Sequence, residues 1–101
     1  MSLLHMDDGL RERIEEAVKQ LARSRFDGVD IVAVEVVEDV DSDDDEIIRV
    51  KVVFRAPEQK LDSRRTSGFV RYLRPRLDEL GAHAFPIMSF VSDRDYKGVA
   101  A

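Results

Sequence analysis

The chain has 101 residues, a net charge of −5 and no cysteine. That length suits one domain (residues 1–101) with a single core, and the lack of cysteine excludes disulfides, zinc–thiolate sites and thiol catalysis. No apolar run approaches the ~20 residues that span a bilayer, so no membrane contact is expected and the cytoplasm is the expected location.

Residues 1–7 read as a flexible leader, too short for a signal peptide and without its basic start. Asp8 is placed to cap a helix reaching about Ser24, with Leu10, Ile14, Ala17, Val18 and Leu21 as its buried stripe. Phe26-Asp27-Gly28 ends it, because Gly28 tolerates the positive φ that other residues resist. Val29 to about Glu38 is a strand that is apolar on both faces. Val32, Val34 and Val36 point one way, and Ile31, Ala33 and Val37 the other. An acidic link, residues 39–45, turns the chain back into a second strand, Ile47 to Ala56. There Ile48, Val50, Val52 and Phe54 face inward while Arg49, Lys51 and Arg55 face out.

Leu61 to Leu80 reads as an amphipathic helix. Leu61, Phe69, Leu73, Leu77 and Leu80 form the inner seam. Arg64, Arg71 and Arg74 lie opposite, flanked by Arg65 and Arg76. Pro75 predicts a kink or restart near Leu73, and Gly68 is a second weak point. Phe85 to Ser92 is a third strand, placed at a sheet edge by the missing donor of Pro86. Residues 93–101 read as a polar tail.

The order α-β-β-α-β predicts an α+β protein: a two-layer sandwich of a three-stranded sheet with helices on one face. The last helix is a crossover, so strand three runs parallel to strand two if they are neighbours. Pairing with strand one would make the sheet wholly antiparallel.

Three stretches resemble the ribosome-binding factor A family. They are Val34-Glu35-Val36 with Asp39, Thr66-Ser67-Gly68-Phe69-Val70-Arg71, and Pro86-Ile87-Met88-Ser89-Phe90-Val91 with Asp93. The resemblance implies a type II KH-like fold, and as a partner the RNA of the small ribosomal subunit. The chain departs from the family at Thr66, where the kink motif has alanine, at Pro75, and in its acidic hairpin link.

Charge is unevenly spread. Residues 1–48 hold five Lys/Arg against fifteen Asp/Glu, whereas residues 49–76 hold nine against two. A basic middle on an acidic protein still attracts anions locally. Arg49, Lys51, Arg55, Arg64, Arg71 and Arg74 are therefore the candidate contacts to phosphates of structured RNA. The plainer reading is a solvated face paired with the chain's own carboxylates. No Gly-x-x-Gly clamp accompanies these cations.

Asp39-x-Asp41-x-Asp43 opens like a calcium loop, but Asp44 replaces the turn glycine and Val50 the closing glutamate, so no resident metal is expected. His5 and His83 are the only histidines, and no nucleophile system or phosphate loop accompanies them. The expectation is a non-enzymatic binding module without a cofactor, associated with RNA or the ribosome through the basic helix face, or alternatively a protein–protein interaction module that self-associates. Its second apolar sheet face (Ile31, Ala33, Val37 and Val53) predicts a homodimer closed about a two-fold axis with Val37 or Val53 at its centre, unless a terminal segment covers that face.

Overall fold

The computed structural model describes residues 6–57 and 60–100, with the side chains of residues 97–100 excluded. The elements are α1 (Asp8–Arg25), β1 (Asp30–Val40), β2 (Glu46–Arg55), α2 (Ser63–Ser67), α3 (Phe69–Glu79), β3 (Phe85–Ser92) and α4 (Asp93–Ala100). The fold is α+β around a mixed sheet in the order β1-β2-β3. β1 and β2 are antiparallel, and β2 and β3 are parallel. The α2–α3 crossover makes that parallel pairing reachable. β3, with Pro86, is an edge strand as expected.

Asp7, one residue before the expected cap, starts α1. Its Oδ1 accepts from the Leu10 amide at 2.7 Å, satisfying one of the donors a helix start leaves open. Met6 is buried in the core, so Met6 and Asp7 belong to the fold. The rest of the expected leader lies outside the described residues.

The core lies between the sheet and α1 with α3. Ile14, Val18 and Leu21 of α1 and Phe69, Leu73 and Leu77 of α3 meet Val36, Ile48, Val50 and Val52 from the strands. Three aromatic rings join the parts. Phe26 stacks on Phe69 at 6.1 Å, and Phe90 meets both edge-on at 5.7 and 5.5 Å.

Three features differ from the sequence reading. The basic helix breaks at Gly68, while α3 continues through Pro75 to Glu79. Gly68 sits where a Cβ would lie 3.3 Å from Arg25 Nη2, so a side chain there would crowd the α1 contact. Pro75 and Arg71, the residue whose carbonyl loses its donor, are both exposed, so the gap in the ladder lies on the solvent side of α3.

Next, β1 contains a bulge. Ile31 is level with Phe54, and Ala33 with Val53, so Val32 is the extra residue. An extra residue reverses the facing of everything before it. Ile31 therefore packs against the helix-side core, while Val32 is exposed. Finally, the polar tail through Ala100 is the helix α4, lying against β2 and β3 on the sheet face away from α1 and α3. Helices thus occupy both faces, and the tail expectation for Ala101 lies outside the described residues.

Candidate functional site

The six candidate cations do not form one surface. β2 alternates, so the core side chains Ile48, Val50 and Val52 place Arg49, Lys51 and Arg55 on the opposite, outer face. Arg64, Arg71 and Arg74 lie in the helical layer on the other side of the sheet. A single backbone cannot touch both sets without wrapping an edge.

The strand cations are also neutralised from within. Arg49 Nε donates to Asp39 Oδ2 at 2.6 Å. Lys51 Nζ stands 3.8 Å from Glu35 Oε2 and 5.9 Å from the centre of the Tyr96 ring. Arg55 Nε donates to Asp93 Oδ2 at 2.9 Å. Glu35 and Lys51 are directly opposite in the ladder, where unlike charges attract. The Arg49 guanidinium, with the Val40 amide, holds the Asp39 carboxyl below the usual carboxylate range.

These contacts also dock α4. Its Asp93 binds Arg55, and the Tyr96 hydroxyl donates to Glu35 Oε1 at 2.7 Å. That carboxylate holds the Tyr96 phenol above its ordinary value of 10.0, first because the hydroxyl donates to it and then by charge repulsion of the phenolate. The protonated phenol is the form that folding favours, so its contribution is full below pH ~10 and is lost as pH rises through the raised value. In a Tyr72→Phe background, phenolate absorbance should show Tyr96 ionising above the free-phenol range, and Glu35→Gln should bring it back. Identical titrations with and without Glu35 would show that α4 is not docked this way.

The helical cations are arranged differently. Arg25 and Arg65 serve structure: each guanidinium donates to the other's main-chain carbonyl, tying the end of α1 to α2. Arg25 also lies 4.4 Å over the ring of half-exposed Tyr72. Arg74 lies 5.4 Å over Phe85. The Arg64 and Arg71 guanidinium groups have no acidic partner among the described residues, and both side chains are exposed. Arg25 was not among the sequence candidates; Tyr72, beside Phe69, is a stacking candidate that the sequence itself offers. An exposed aromatic opposite the apolar seam was the available signal.

The interface candidates are scattered too. Ile31 is on the core side. Val53 is fully buried on the face that α4 lies against, and Ala33 is half-buried beside it. Only Val37, 56% exposed, is a free surface residue. The face-to-face surface centred on Val53 is therefore not present, because the chain's own C-terminal helix occupies it.

At the hairpin tip, carboxylate oxygens of Asp41, Asp43 and Asp45 lie within 4.8 Å of one another. Asp41 Oδ1 accepts from the amides of Asp43 and Asp45 at 2.9 and 3.0 Å, so it closes the turn. Asp39 faces Arg49 instead of this group. His83 Nδ1 pairs with Asp78 Oδ1 at 3.1 Å on the exposed surface, rather than with the last carbonyls of α3. No helix among the described residues is long and apolar enough to cross a membrane.

The chain matches no protein-family model, no curated protein and no solved structure.

Proposed function

We propose that the chain is a small non-enzymatic binding module that docks the phosphates of structured RNA through the outer side of α2 and α3. Arg64, Arg71 and Arg74 make the contacts, and Tyr72 with its stacked Arg25 supplies a flat surface beside them. The observation that carries this reading is the contrast in pairing: every strand cation has a carboxylate partner, whereas Arg64 and Arg71 have none among the described residues. An unpaired exposed guanidinium has no internal ion pair to break before it meets a phosphate. The short resemblance to ribosome-binding factor A supports RNA of the small ribosomal subunit as the target. Arg49, Lys51 and Arg55 are assigned to holding the outer face and α4 together.

Three phosphate contacts give a slope of about −2 to −3 in log affinity against log salt, or roughly 15- to 60-fold weaker binding between 50 and 200 mM. Fluorescence anisotropy with a labelled RNA hairpin should show this. Arg64→Ala or Arg71→Ala should each flatten the slope by about one contact's share. Salt-insensitive binding, or none at micromolar protein, would contradict the proposal.

A further inference from the structure

The two edges of the sheet are built differently. β1 carries Asp30, Glu35, Glu38 and Asp39, and the bulge at Val32 interrupts its ladder. Charges and bulges are the means by which edge strands resist pairing with another chain. β3 reads Phe85-Pro86-Ile87-Met88-Ser89-Phe90-Val91-Ser92 and holds no charge. Its one guard is Pro86, near one end, which removes a single donor. Phe85 and Ile87 are 46% and 40% exposed. Among the described residues, β2 is the only strand paired with β3, and no loop backbone bonds to it. The far edge of β3 therefore presents unpaired backbone groups beside apolar side chains.

We propose that β3 is a self-association edge: two copies of this chain pair antiparallel through β3 about a two-fold axis, joining two three-stranded sheets into one. The charge pattern selects a second copy as the occupant. Two-fold pairing sets a strand against its own reversed sequence, so a charge near the axis meets its own copy and a strand whose charges are all of one sign finds no opposite charge in its partner. β1, with four carboxylates and no cation, is repelled by itself. β3 carries no such penalty. Opposed side chains in an antiparallel pair share a face, so at greatest overlap the axis passes through Met88 or Ser89. Ile87 then meets Ser89 (axis at Met88) or Val91 (axis at Ser89) of the second copy. This surface meets the RNA-docking side only at the start of β3, where Arg74 lies over Phe85, and it replaces the face-to-face arrangement that α4 occupies.

Sedimentation of the full chain from 10 to ~100 µM tests it, since a micromolar dissociation constant populates the dimer over that range. The wild type should be dimeric. Ser89→Lys should raise the dissociation constant at least ~10-fold with the far-ultraviolet CD unchanged, because Ser89 is exposed in the single chain. Ser89→Glu should do the same, since either sign opposes itself or an apolar neighbour. Val37→Lys, on the outer face away from this edge, should remain dimeric. A wild type that is monomeric at ~100 µM would overturn the proposal. So would a Val37→Lys monomer alongside an intact Ser89→Lys dimer, which would place the contact on the face.

Discussion

Phe69→Ala should cost about 3–5 kcal/mol of stability, the range for removing a fully buried phenyl ring. Phe69 is the first residue of α3, fully buried, and it contacts the rings of both Phe26 and Phe90. Phe26 ends α1 and Phe90 belongs to β3, so one side chain joins both helices to the edge strand. Its loss leaves a cavity where three elements meet and removes two aromatic contacts, each worth roughly 0.5–1.5 kcal/mol beyond burial. For a domain of this size the melting temperature should fall by about 15–30 °C. Tyr72→Ala, three residues on but half-exposed, should cost far less. Urea or thermal unfolding checks both. A loss under ~1 kcal/mol for Phe69→Ala would mean that this junction is not the centre of the core.

Val53→Glu should unfold the protein. Val53 is fully buried in the single chain, between Ala33 and Val91 in the sheet and on the face α4 lies against. The nearest cations on that face, Lys51 and Arg55, already hold Glu35 and Asp93. An added carboxylate would lack a partner, and effective penalties for a buried ion are several kcal/mol. That is a large share of the roughly 5–15 kcal/mol that holds a small domain together. Circular dichroism should show loss of the cooperative transition. A folded Val53→Glu monomer, the outcome of the face-to-face dimer expected from the sequence, would show instead that Val53 is a surface residue.

The sequence was most legible where a pattern had one physical reading. β2 alternates apolar and charged residues, and Ile48, Val50 and Val52 do face the helices. Pro86 marks an edge, and β3 is one. β1 was less legible because Ile31-Val32-Ala33-Val34 is apolar throughout, so an extra residue leaves the pattern unchanged and only the ladder reveals it. The sequence offers two break points, Pro75 first and Gly68 second, and the helix breaks at the second. Proline in an exposed position of α3 interrupts little, whereas Gly68 lies where α1 comes close. α4 was hidden by its polarity: among its described side chains the anchors are Asp93 and Tyr96, which dock through an ion pair and a hydrogen bond.

The candidate site was legible as a set of cations but not as a surface. Period-two alternation says that Arg49, Lys51 and Arg55 point outward. It does not say that Asp39, Glu35 and Asp93 will be waiting there, because those partners come from β1 and α4. Separation of the two groups by the sheet follows from topology, which no single helix or strand encodes.

Amide mapping tests the central claim most directly. A nitrogen-15-labelled sample of the full chain is titrated with an RNA hairpin at low salt while backbone amide positions are followed. The account predicts concentration-dependent shifts from Ser63 to Arg76, centred on Arg64 and Arg71, and little change at Arg49, Lys51 and Arg55. Shifts centred on the outer face of β2, or no shifts anywhere at a saturating excess of RNA, would contradict it.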